Sequence, residues 1–293
     1  MVTMQLPVVR PNRGKSPNQV HIKEEFKRAY KDFRVALQNS KKNQVKFKPL
    51  LSAPDSNAKL AKKTTRTAGY ELYSLFLAPS GLSGYNMCPW ASDECIWLCL
   101  NSSGRGAMKS VQDARIRKTK ELVDEPYRFM QTLLWELYGA MKRATKTNGL
   151  LAVRLNGTSD RLWEVDCPFL EDFSIAGNYT DPCDEMKGLT KFRFYDYTKL
   201  DIRSSPWYDF TLSYSGQNWE ACEKILSEKT GRVAVVFEEK LPDEFKGFKV
   251  INGDLDDYRF LDQKGIIIGL KYKKTGREQD SFAKSKSNSF VSV

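Results

Sequence analysis

Apolar residues recur along the chain in two rhythms. Over residues 24–38, Phe26, Tyr30, Phe33 and Leu37 fall three or four positions apart, which predicts an amphipathic helix. A second stripe, Phe129, Leu133, Leu137 and Met141, follows Pro126, whose fixed φ suits the first turn of a helix. Residues 107–123 predict a helix between the two, basic on one side through Lys109, Arg115, Arg117, Lys118 and Lys120. Shorter runs at 70–77, 150–155, 191–197, 209–214, 232–237, 248–251 and 265–270 read as strands, and 219–228 as a further helix. Val233-Ala234-Val235-Val236-Phe237 and Ile266-Ile267-Ile268 are apolar without alternation, as in parallel strands covered on both faces. The expectation is an α/β fold, a complete or partial TIM-like barrel of βα repeats with a basic, partly helical N-terminal extension. An open doubly wound sheet is the alternative.

Three segments follow. Residues 1–68 form a basic arm with one helix and a Pro-containing linker, loose over 1–20. Residues 69–279 form the α/β domain, and 280–293 a Ser/Lys-rich tail expected to be flexible. With 293 residues, 41% of them hydrophobic, the chain can bury a sizeable core. Its net charge of +11 is concentrated at one end: residues 1–66 hold 16 lysines and arginines against Glu24, Glu25, Asp32 and Asp55. Such an arm attracts polyanions through counterion release, so nucleic acid is a candidate partner. No apolar run approaches the roughly 20 residues that span a bilayer, and residues 1–13 lack the apolar stretch of a secretory leader. A cytoplasmic, reducing location without a membrane partner is expected. Six cysteines there point to metal binding or catalysis rather than to a disulfide framework.

Cys88, Cys95 and Cys99 lie within a dozen residues, on a loop expected between a strand and a helix. Thiolates are soft ligands for zinc or an iron–sulfur cluster, and three of them leave one coordination position for substrate, cofactor or water. Spacing alone leaves zinc and iron–sulfur both open. Cys167 and Cys183, near Pro168 and Pro182, are candidates for a fourth ligand, and Cys222 falls at a core-type helical position. His21 is the only histidine, which argues against Ser-His-Asp or Cys-His nucleophiles and His-rich metal hydrolases.

Several predicted strands end in polar residues. Asn156, Asp160, Asp196, Lys199, Ser213, Ser215, Asp254 and Lys271 are the candidates that would meet at one mouth with the cysteine loop. Of these, Asp160, Asp196, Lys199 and Lys271 have the chemistry for catalysis, and Asn156, Ser213, Ser215 and Asp254 for holding a cofactor. Asp256, Asp257, Arg259 and Asp262 form a charged stretch that reads equally as structural or functional.

The segment Leu82-Ser83-Gly84-Tyr85-Asn86-Met87-Cys88-Pro89, with Cys95, Cys99, Gly104-Arg105-Gly106 and Arg115, resembles the phage "gene product 88" domain family. So do Arg154-Leu155-Asn156-Gly157-Thr158-Ser159-Asp160, Trp163-Glu164, residues 194–199, Arg259-Phe260-Leu261-Asp262 and Gly269-Leu270-Lys271. The likeness covers about residues 70–275 and implies a virus- or mobile-element-encoded protein acting in a host cell. The layout also resembles radical S-adenosylmethionine enzymes, which carry three cysteines after the first strand of a partial barrel. That likeness implies a [4Fe–4S] cluster and S-adenosylmethionine. The spacing differs, with six residues between Cys88 and Cys95, three between Cys95 and Cys99, and Trp97 two positions before the last cysteine. The competing expectation is a nucleic-acid-binding, replication-associated protein with a structural zinc site. A non-catalytic interaction protein is the third.

Overall fold

Burial on one stripe shapes the helical layer. The structure, a computed structural model, describes residues 12–39, 48–54, 69–177, 184–238, 240–273 and 291–292. Helix α1 (Gln19–Gln38) begins at Asn18, whose side chain accepts from the His21 N–H, and buries Ile22, Phe26, Ala29, Phe33 and Leu37. These residues lie in the same core as the buried face of α4 (Pro126–Thr147), including Phe129, Leu133, Leu137 and Met141. Phe26 is fully buried and forms a near-equilateral cluster of roughly parallel rings with Phe129 and Trp163. The helix that the sequence places in a basic extension is therefore part of the central packing. Its charges are largely spent internally: Lys23 pairs with Asp166, Lys27 with Glu24 and Arg28 with Glu25.

The sheet grows by adding parallel strands in chain order. Strands β2 (Tyr70–Leu75), β3 (Leu150–Arg154), β4 (Phe192–Thr198), β5 (Tyr208–Ser213) and β6 (Arg232–Phe237) are consecutive neighbours. Strand β9 (Ile267–Lys271) adds in parallel beside β6, and β8 (Phe248–Asn252) beside β9. Two-residue strands edge this series antiparallel, β1 (Leu51–Ser52) on β2 and β7 (Glu244–Phe245) on β8. A further pair, β10 (Val291–Ser292), runs beside the end of β6 in the segment expected to be a flexible tail. The α/β expectation holds. The complete barrel does not form: among the described residues the sheet is open, with no pairing between its two ends.

The two faces differ. On the outer face Tyr73, Leu75, Leu151, Val153, Phe192 and Phe194 pack with α1 and α4. Helix α3 (Lys109–Asp124) adds Leu122 to this core, and α6 (Trp219–Ser227) covers Val233, Val235 and Ile267. On the inner face Leu72, Ala152 and Tyr195 cluster with Tyr258 and Phe260, from the short 3-10 turn at Arg259–Leu261 and the residue before it. The sheet is open, as in the doubly wound alternative, and among the described residues its longer α-helices pack on the outer face. The Tyr258 hydroxyl donates to the Tyr70 carbonyl, 3.2 Å, so the segment before β9 reaches back to β2 without strand pairing.

Because α1 contributes large buried rings, Phe26→Ala should cost about 3–5 kcal/mol. Urea unfolding checks this; a loss near zero would show that the helix is only loosely attached.

Candidate functional site

Since β2, β3, β4, β5, β6 and β9 are parallel, their C-terminal ends share one rim, and the loop after β2 lies on it. That loop, read from sequence as irregular, contains a short helix α2 (Asp93–Trp97). Ser92 caps it by accepting from the Cys95 N–H, 3.2 Å. Cys95 and Cys99 stand four residues apart around this helix, and Cys88 precedes it. The Asn86 side chain accepts from the Cys88 N–H at 2.9 Å, and the Cys88 thiol faces the Thr158 carbonyl at 3.7 Å. At its far end the loop crosses to β9: the Ser103 hydroxyl donates to the Lys273 carbonyl, 3.0 Å.

The three cysteines line one cavity of about 220 Å³. Its walls include Asn156, Asp160, Lys199, Ser213, Asp254 and Lys271, so most of the residues singled out in the sequence converge. All three cysteines are half-buried, and none forms a disulfide. Among the described residues no group of three or more His, Cys, Asp or Glu side chains is arranged to hold a metal ion.

Two candidates do not reach the cavity. Asp196 is fully buried on the outer face, on the same parity of β4 as Phe192 and Phe194. It accepts from the Asn156 N–H at 3.0 Å and from the Tyr208 hydroxyl at 2.5 Å, and so fixes the end of β3. Ser215 is taken up in a turn, its N–H donating to Asn218 Oδ1. Asn156 lines the wall, and its side-chain oxygen is fully used. The side chain donates to the Arg161 carbonyl and accepts from Ser159 Oγ, the Arg161 N–H and Trp163 Nε1. Cys167 and Cys222 are buried in the core and offer no fourth ligand, and Cys183 lies outside the described residues.

Asp160 is held from three sides: the Lys199 N–H at 2.8 Å, the Thr198 hydroxyl at 3.2 Å and the Arg203 guanidinium at 3.0 Å. Arg203 also grips Glu164 through two bonds of 2.8 Å. Burial pushes the Asp160 carboxyl up, and these donors oppose the shift. Lys199 donates to the Tyr214 carbonyl at 3.0 Å, and burial lowers its ammonium despite the attraction of Cys95 and Asp160. Burial likewise pushes up the Cys88 and Cys95 thiols, and for Cys88 the neighbouring Cys99 and Cys95 add to the shift. Arg115 stands close to Cys99 as a compensating charge and donates to Asn101 Oδ1. Both shifts disfavour the free thiolates of Cys88 and Cys95.

Sequence reasoning did not single out Arg154, Tyr197 or Arg203, and left Asp257 open between a structural and a functional reading. Arg154 pairs with Asp257 at 3.2 Å and lies over the Tyr197 ring, 4.6 Å from its centroid, all three lining the cavity. Arg154 shares parity with Ala152 and Asn156, so strand alternation signals its face. Arg203 sits in an irregular segment and gives no periodic signal. Of the charged stretch near the end of the chain, Arg259 pairs with Asp256 and Asp262 in a buried cluster, and only Asp257 faces the cavity. Gly157 is needed where it stands: a Cβ there would lie 2.5 Å from the Phe76 ring.

The family model described as Gene product 88 matches residues 49–288. No curated protein and no solved structure matches the chain. No helix among the described residues is long and apolar enough to cross a membrane.

The buried Asp196 carboxyl is pushed up to about 7, chiefly by desolvation. It binds its proton more tightly in the folded chain than in the unfolded one. Its contribution to stability is full below about pH 4 and is lost as the pH rises through about 7. Relative to Asp196→Asn, the native chain should therefore lose stability between those limits as the pH rises. Urea unfolding at stepped pH reads the difference, and a flat difference contradicts the assignment.

Proposed function

We propose, for a chain that belongs to the phage gene product 88 family, that Cys88, Cys95 and Cys99 hold an iron–sulfur cluster of the [4Fe–4S] type. In this reading the protein is a radical-type enzyme, acting in the host cytoplasm, that takes S-adenosylmethionine beside the cluster. The observation that carries it is the sharing of one cavity by three cysteines and the polar ends of β3, β4, β5 and β9.

Two features support a cluster over a lone zinc ion. Zinc sits about 2.3 Å from each sulfur and draws the sulfurs into a tight knot, whereas a cluster lets each thiolate hold a different iron. The cysteines here line a cavity of about 220 Å³. The donor set also fits, because Arg115 and Lys199 stand beside Cys99 and Cys95 as compensating charges. The Tyr197 hydroxyl is buried without a hydrogen-bond partner and belongs to a cavity-lining residue, so a polar ligand has an unused group to meet. The consecutive order from β2 to β6, continued by β9, is that of a barrel segment, which supports a partial TIM-like barrel with its site at the strand C-termini.

When bound, a cluster with one iron free of protein supplies one-electron reduction of the ligand at that iron. The chain's own residues do the rest. The cysteines anchor the cluster, and the loop that bridges β2 to β9 shields it from water. Arg203 locks Asp160 and Glu164 into the wall. Lys271 and Asp254, joined through the Lys271 N–H at 2.8 Å, line the opposite side, where a polar cofactor or substrate is held.

Anaerobic reconstitution with iron and sulfide tests the proposal. The expected product is brown, with about four irons per chain, and its reduced-state spin-resonance spectrum should change when S-adenosylmethionine is added. Cys88→Ser, Cys95→Ser and Cys99→Ser should each lose most of the iron. A colourless, iron-free protein that instead retains zinc and binds DNA or RNA in a salt-sensitive way would replace this reading with a nucleic-acid-binding one.

A further inference from the structure

The segment just ahead of α1 does more than precede a helix. Expected to be loose, residues 12–18 instead lie along the cysteine loop and bond to it at successive points. The Lys15 N–H donates to the Gly84 carbonyl and the Asn86 N–H to the Lys15 carbonyl, both at 2.8 Å. Asn86 is the residue whose side chain receives the Cys88 N–H. Two residues earlier, Arg13 donates to the Ala91 carbonyl at 2.8 Å and pairs with Asp93 at 2.6 Å. Ala91 and Asp93 flank Ser92, the cap of the helix that carries Cys95. The contact is close: a Cβ on Gly81 would collide with the Asn12 carbonyl, and one on Gly14 would lie 2.9 Å from the Gly84 carbonyl. Further along, Gln19 accepts from Arg161 at 3.1 Å and Lys23 pairs with Asp166 at 3.2 Å, so the same stretch also holds the loop after β3.

We infer that residues 12–18 are a clasp that fixes the cysteine loop in its ligating conformation, with Arg13 the positioning residue for Cys95 and the Lys15 backbone the positioning group for Cys88. The inference rests on the reading of these cysteines as ligands. It adds an element that precedes the matched family region, which starts at residue 49. Arg13 and Asp93 are both substantially exposed, so their pairing contributes little to global stability. The effect of losing it falls on local opening of the loop.

The test uses the full chain, metal-free and under reducing conditions. Iodoacetamide alkylation is followed by peptide mass spectrometry, with buried Cys167 and Cys222 as internal references. In Arg13→Ala, Cys95 should be alkylated about five- to tenfold faster, the scale of one lost ion pair with one backbone hydrogen bond. The references and the thermal midpoint should stay close to those of the native chain. Gly81→Ala, which pushes the clasp away, should speed both Cys88 and Cys95. A folded Arg13→Ala chain whose Cys95 rate stays within about twofold of native overturns the clasp, whatever Gly81→Ala does. Because no metal is present, a failed reconstitution strikes the cluster reading and leaves this result standing.

Discussion

The inner face of the sheet is held by paired charges set among small apolar and aromatic clusters. Arg154 meets Asp257, Arg259 meets Asp256 and Asp262, and Arg232 meets Asp209, each within 3.2 Å. Burying such groups is costly, and removing one partner from a buried pair costs about 3–5 kcal/mol because the other is left uncompensated. The pairs therefore confine the segment that includes Arg259 to one placement across the strands. Aromatic contacts of Tyr258 and Phe260 with Tyr70 and Tyr195 complete the floor. Of the charged pairs, Arg154 and Asp257 form part of the cavity wall.

This arrangement explains how an open sheet encloses a site. Among the described residues its two ends do not pair, yet the β2 side is bridged twice to the segments flanking β9. Tyr258 reaches Tyr70 near the base, and the cysteine loop reaches Lys273 at the rim. The upper bridge carries all three thiols. The feature that closes the gap is thus also the one that brings sulfur over the strand ends.

Much of the fold was legible because parallel strands and amphipathic helices leave strong periodic marks. Pro126 does open α4, and the apolar runs at 232–237 and 265–270 do become neighbouring strands. The site was legible in part. The cysteines, Asp160, Lys199, Asp254 and Lys271 converge because strand ends in a parallel sheet must. Asp196 was misplaced because its polarity was weighed without its parity: its neighbours two and four positions back, Phe194 and Phe192, face the helices. Arg203 and the clasp were hidden for another reason. Their partners lie about 40 and 80 residues away, and no local period encodes such contacts.

Electrostatics joins these pieces. Burial makes the Cys88 and Cys95 thiols resist ionising, and for Cys88 the neighbouring Cys99 and Cys95 add to the cost. Arg115 and Lys199 offset part of that cost, but both are themselves disfavoured as cations by burial. Ligand thiolates at such a site need further positive charge, and iron ions shared among the sulfurs would provide it where a solvent counterion could not enter. Asp160 completes the balance from behind. Its negative charge raises the thiols, but Arg203 and the Lys199 N–H hold it in the wall, which keeps it out of the space between the sulfurs.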